Sequence, residues 1–211
     1  MIAYLILGAA YGFASAVQPG VFQTYIISQG LLHGWRRVLP ATCAPLLSDG
    51  PIIVAVLLFL THVPLWFEHA LQLIGGIFVL YLAYNAWGSW KGKRQNEGPT
   101  TATVHRTVIK AALVNLLNPA PYLGWSLVMG PLLIQAWNQA PMSGVGLIAG
   151  FYATMIAVEM AIVYLFVRAA TKAPVVSRAL IGVSIVLLVG FGVYMIWIGA
   201  STMPSNWQVF R

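Results

Sequence analysis

Two carboxylates stand where a charge is costly. Asp49 and Glu159 each lie deep inside an apolar run, and they are two of only four acids in the chain. An ionised carboxylate at the centre of a membrane helix costs about 2.5–3.5 kcal/mol even on a lenient insertion scale. Such a group can bind a proton or a cationic substrate and release it when water enters. It can equally be a protonated acid that hydrogen-bonds a neighbouring helix and does no transport chemistry. No Lys or Arg sits at matching depth, so an internal ion pair is not available.

Two other stretches interrupt apolar runs. Residues 115–121 read NLLNPAP, and Gln18-Pro19-Gly20 stands about a hundred residues earlier. Each proline removes a backbone N–H and clashes with the preceding turn. In hydrocarbon the freed carbonyls must find partners inside the protein, so a break is tolerated only where it is packed or lines a cavity. Gln18, Asn115 and Asn118 bring amides to the breaks. They could bind substrate, or they could simply cap the freed backbone. Half-helix ends carry partial charges of both signs, and that pairing suits a zwitterion. The candidate substrate site is therefore Gln18, Pro19, Gly20, Gln23, Asn115, Asn118, Pro119 and Tyr122, with Asp49 and Glu159 as proton-coupling groups. Trp125 and Ser126 follow the second break and could line the same cavity, although packing alone would also explain Tyr122 and Trp125.

The elements that must position these residues are membrane helices. The 211 residues are 60% hydrophobic and only 7% charged, with a mean hydropathy of +0.83. Soluble domains carry about 25% charged residues. The expectation is one all-α polytopic domain over 1–211, with about six spans of ~20 residues. The net charge of +7 lies in short loops beside apolar runs, which argues against nucleic acid as a partner and for a lipid bilayer. Ala14-Ser15-Ala16 resembles a cleavage site, but no Lys or Arg precedes it, so residues 2–32 read as a retained first helix. The one cysteine, Cys43, cannot form an internal disulfide. None of His33, His62, His69 and His105 has a ligand partner at i+3 or i+4. No metal site, no cofactor and no enzymatic activity is expected; Ser143-Gly144 has no nearby His to make a serine–histidine pair.

Helix 1 is expected over about 2–32, broken near its middle at Pro19, and helix 2 over about 38–60, carrying Asp49. A short loop with His62 and Pro64 leads to helix 3, about 65–90. Residues 91–106 are polar and read as a flexible linker. Helix 4, about 107–136, holds the second break, and an uncharged loop at 137–141 follows. Helix 5, about 143–167, carries Glu159. Helix 6 covers about 179–200, and a short tail ends at Arg211. Loops after helices 1, 3 and 5 hold ten of the eleven basic residues, from Arg36 and Arg37 to Arg168, Lys172 and Arg178. The positive-inside rule places those loops in the cytoplasm and both termini outside. At ~1.5 Å per residue, Asp49 lies ~18 Å from Arg37 along its helix and Glu159 ~13 Å from Arg168, so both reach the middle of a ~30 Å core.

Three spans on each side of the linker give two halves of opposite orientation, repeat 1 over about 1–90 and repeat 2 over about 107–200. At an offset of 100, Pro19 meets Pro119 and Gln18 meets Asn118. At an offset of 110, Asp49 meets Glu159, Pro64 meets Pro174, Tyr84 meets Tyr194 and Trp87 meets Trp197. Glycine matches are discounted, because glycine recurs everywhere in an apolar chain. Many secondary transporters are inverted repeats with sites at broken helices.

These motifs, in this order, carry a resemblance. Pro19-Gly20, then Gly34-Trp35-Arg36-Arg37, then Asp49, then Asn118-Pro119 in NLLNPAPYLGW, resembles the LysE/RhtB family of amino-acid exporters across essentially the whole chain. Val21 stands where that family usually has a second proline, and Glu159 has no confident match in its pattern. The resemblance implies efflux of amino acids or similar small metabolites through the cytoplasmic membrane, driven by the proton gradient. An ion or metal transporter is the alternative, ranked lower because divalent metals usually want several oxygen ligands and only two central acids are present. The glycine pairs Gly8/Gly12, Gly30/Gly34 and Gly146/Gly150 could pack helices within one chain or between two, which leaves a homodimer open.

Overall fold

The computed structural model describes residues 1–58, 65–91, 101–171 and 174–201, and every regular element among them is helical. The first span is two helices, α1 (Ile2–Val17) and α2 (Val21–His33), which meet at a 64° bend over Gln18-Pro19-Gly20. Gly34, at φ +88°, stops α2 in a backbone region that side chains rarely adopt. A short α3 (Trp35–Val38) and a tight turn over Leu39–Cys43 lead into α4 (Ala44–Leu58). Helix 2 was expected to start smoothly at Val38; Pro40 tightens that start into the turn instead. The third helix, α5 (Leu65–Trp90), has the expected bounds.

The second half departs further from expectation. Its first helix, α6 (Thr101–Leu116), starts at Thr101 and not at 107, so the end of the supposed linker is helical. The second break follows, then α7 (Pro119–Gly124), one widened π turn over Trp125–Met129, and α8 (Gly130–Gln139). The expected loop at 137–141 shrinks to extended Ala140, because Pro141 opens the next helix at a position where proline is favourable. That helix, α9 (Pro141–Thr171), is longer than expected at both ends. The last, α10 (Pro174–Ser201), also begins at a proline. The expectations for His62 and Pro64, for 92–100, for Lys172 and for the tail at 202–211 lie outside the described residues.

Among the described residues, four helical segments are long and apolar enough to cross a membrane: Trp35–Val56, His69–Gly88, Pro141–Ala170 and Arg178–Ser201. The bent α1–α2 pair makes a fifth if it is one span. The expected fourth span is not in this set. Its first helix carries Arg106, Lys110 and Asn115, and the chain is then cut into short pieces.

Close backbone contact holds the bundle together. The helices α1 and α9 run against each other, and so do α5 and α10, while α4 lies on α6. A side chain at Gly8 would run into the Leu147 carbonyl, one at Gly12 into that of Phe151, and one at Gly150 into that of Leu5. These glycines therefore join α1 to α9 within one chain, the small-residue contact common in membranes. Tyr84 and Trp197 lie exposed near helix ends, as interfacial anchors do. Replacing Gly12 with leucine should lower stability by about 1–3 kcal/mol through overpacking. Thermal unfolding in detergent measures this, and an unchanged midpoint would contradict the contact.

Candidate functional site

The second break keeps account of its own backbone groups. Asn118 has the extended conformation that a following proline imposes, and Pro119 opens α7 where no N–H is needed. The Asn118 side chain caps α7 by accepting from the Ala120 N–H at 3.1 Å. Its backbone N–H donates to the Asn115 carbonyl at 3.2 Å. The Tyr122 hydroxyl donates to the Leu116 carbonyl at 3.0 Å. On α5, Gly75 leaves room for the Leu117 carbonyl, which a side chain there would strike.

The first break uses the same device. Gln18 is extended before Pro19, and its N–H donates to the Ala14 carbonyl at 3.2 Å. The Gln23 side-chain amide donates to the Ala16 carbonyl. Ala16 and Leu116 stand 100 residues apart, the offset of the two prolines. In each half, a side chain from the helix after the break reaches back to the same carbonyl.

Asp49 joins three segments. Asn115 Nδ2 donates to its Oδ1 at 2.8 Å, and the Tyr152 hydroxyl donates to its Oδ2 at 2.9 Å. The Trp125 indole N–H also reaches Oδ2, at 3.4 Å. Asn115 Nδ2 additionally lies 2.8 Å from Ser48 Oγ. The residue is 3% exposed. The π turn starts at Trp125, and such widened turns are frequent at functional sites. Glu159, on α9, is 4% exposed, and its Oε2 has no hydrogen-bond partner among the described residues.

The two breaks and both acids meet at one cavity of about 420 Å³. That volume falls in the ~300–1,000 Å³ range of small-molecule sites. Gln18, Pro19, Gly20 and Gln23 line it from the first break, and Asn115, Asn118 and Pro119 from the second. Asp49 and Glu159 both face it, as does Trp125. Tyr122 and Ser126 are not among the lining residues. Tyr122 is buried instead, and its hydroxyl serves the Leu116 carbonyl. Sequence reasoning missed Tyr11, Gln72 and the apolar wall of Phe151, Met155, Phe191 and Met195. It also missed Tyr152 as a donor to Asp49. That residue lies seven before Glu159 on α9, two helical turns away on the same face, a spacing that would have found it. Among the described residues no group of three or more His, Cys, Asp or Glu side chains could hold a metal ion.

Substituting Asn115 with leucine keeps bulk at the site but removes the donor to Asp49 Oδ1. Losing one partner of a buried hydrogen bond costs about 1–3 kcal/mol. The expected outcome is a lower unfolding midpoint in detergent; full retention would show that Asn115 does not hold Asp49.

A protein-family model described as LysE type translocator matches residues 13–203. No curated protein and no solved structure matches the chain.

Proposed function

This chain belongs to the LysE type translocator family, and on that premise we propose that it exports amino acids or similar small metabolites by proton antiport. It is a multi-pass membrane protein of a transporter family, acting on small molecules and not as an enzyme. The observation that carries the rest is the cavity, which both proline breaks and both buried carboxylates share.

In the proposed cycle the cavity opens alternately to each side. Gln18, Pro19, Gly20, Gln23, Asn115, Asn118 and Pro119 surround the substrate. Asp49 and Glu159 exchange a proton for it. An inverted repeat of six spans, three per half, supplies the two equivalent states. Three features support that architecture. The Ala16 and Leu116 carbonyls are served alike, at the offset of the prolines. The packing of α1 on α9 has its counterpart in α6 on α4, as exchange of the halves requires. Asp49 and Glu159 reach the cavity from helices that exchange places in the same operation.

Orientation follows from charge. Arg37 and Lys110 both lie close enough to His33 to act on its charge, so basic residues from the two halves gather at one end. That end is cytoplasmic under the positive-inside rule, with both chain termini outside and the protein in the cytoplasmic membrane.

Everted membrane vesicles test this. Removing one charged contact worth roughly 1.5–3 kcal/mol should cost at least about tenfold. The Asp49→Asn protein, inserted at normal levels, should lose proton-driven uptake of the exported compound by at least that factor. Proton-coupled uptake at the unmodified rate would sink the reading.

A further inference from the structure

Asp49 and Glu159 stand at equivalent positions 110 residues apart, yet their surroundings differ. Both oxygens of Asp49 are engaged, Oδ1 by Asn115 and Oδ2 by Tyr152 and Trp125. Those donors come from α6, α9 and the π turn, while Asp49 itself is on α4. A carboxylate held in this way fixes helices relative to one another and has little acceptor capacity left.

Glu159 is buried just as deeply, but its Oε2 is without a partner among the described residues. Buried polar atoms in folded proteins are nearly always satisfied, and an exception requires an explanation. Among the described residues no Lys or Arg lines the cavity to supply one. Glu159 lines the cavity, so a donor inside it can approach this carboxyl group, and a carboxylate takes a charged N–H donor best.

Two further features of the same cavity define the rest of the ligand. The 13-residue α2 opens onto it at Gly20, which has no side chain to cap the helix. The first N–H groups of a helix have no partners within it and carry the positive end of its dipole, so this end suits a carboxylate. The cavity is also lined by Phe191, Tyr194, Met195 and Ile198 of α10, and by Met155, one turn before Glu159 on α9. Apart from the Tyr194 hydroxyl that lining is apolar, and its methionines adapt to varied shapes.

We propose that Glu159, and not Asp49, holds the ammonium group of a substrate whose side chain is bulky and apolar, with Asp49 as a positioning residue that ties α4 to α6 and α9. The carboxylate of an amino acid lies at the open end of α2, and its side chain lies against Phe191, Met195 and Ile198. This rests on the export reading and sharpens it. A cavity built for a basic side chain would place a further acid against that wall, and none of its lining residues there is acidic.

The test is binding to the full chain, purified in lipid nanodiscs with no gradient present. The probes are L-phenylalanine, 2-phenylethylamine, 3-phenylpropionate and L-lysine, followed by calorimetry. The unmodified protein should bind phenylalanine and phenylethylamine, with phenylpropionate and lysine each at least about tenfold weaker. Glu159→Gln should weaken phenylethylamine by at least about tenfold, and Glu159→Asp should recover part of that loss. Asp49→Asn should lower the unfolding midpoint, and should weaken phenylethylamine less than Glu159→Gln does. The proposal is overturned if phenylpropionate or lysine binds as well as phenylalanine, if no probe binds, or if Asp49→Asn loses the amine while Glu159→Gln keeps it. Should Glu159→Gln fail to fold, phenylalanine against phenylpropionate on the unmodified protein decides, since those two differ only in the ammonium that Glu159 would hold. Failure of the export reading has a different signature: this binding pattern without uptake in vesicles.

Discussion

A peptide carbonyl at membrane depth must have a partner inside the protein, because no water is there to supply one. Much of this structure answers that requirement. Prolines at 19, 119 and 121 remove donors in the middle of two apolar runs, and the chain repairs the damage locally. Gln23 and Tyr122 each reach back over the break to the carbonyls of Ala16 and Leu116. Asn118 caps the helix that begins beside it. Glycine at 75 lets α5 come up against the Leu117 carbonyl. Once each break is closed on its own backbone, its inner side is free to form a wall. The cavity is what remains between two such walls.

Asp49 shows how that frame is held in register. Each of its hydrogen bonds comes from a different segment, so its charge bears on the relation of α4, α6, the π turn and α9 at once. Taking up a proton would convert an acceptor of several bonds into a donor, which weakens those ties together. Under the proposed antiport, this is how a proton could change the packing of one half against the other. Glu159 has no such ties at Oε2 among the described residues. The two acids share a register in the sequence and have unlike neighbours, and the proposed division of their roles rests on that difference.

Much of this was legible in the residues. Composition gave an all-helical membrane chain, and hydrophobic runs placed the ends of α5 at Leu65 and Trp90. Proline chemistry located both breaks, and the pairing of Pro19 with Pro119 and of Asp49 with Glu159 pointed to one shared cavity. Three kinds of information were not legible. Helix starts at Thr101, Pro141 and Pro174 are not legible, because polar residues and prolines resemble loop, although proline opens a helix well. The π turn after Gly124 leaves no mark in composition, yet it starts at Trp125, whose indole reaches Asp49. The role of Tyr122 depends on where a hydroxyl points, which spacing alone does not determine. Tyr152 is different, for its place two turns before Glu159 on α9 is legible from spacing alone.

The central claim is that the two breaks wall a single cavity. A direct measurement uses cysteines at Ser15 and Ala120, one lining residue from each break, with Cys43 replaced by alanine. A short bis-maleimide is added to the purified monomeric protein, and the intact mass is read. If the breaks face each other, one reagent consumes both thiols of a single chain. Two reagents per chain, each attached by one end, would place the breaks apart and contradict the account.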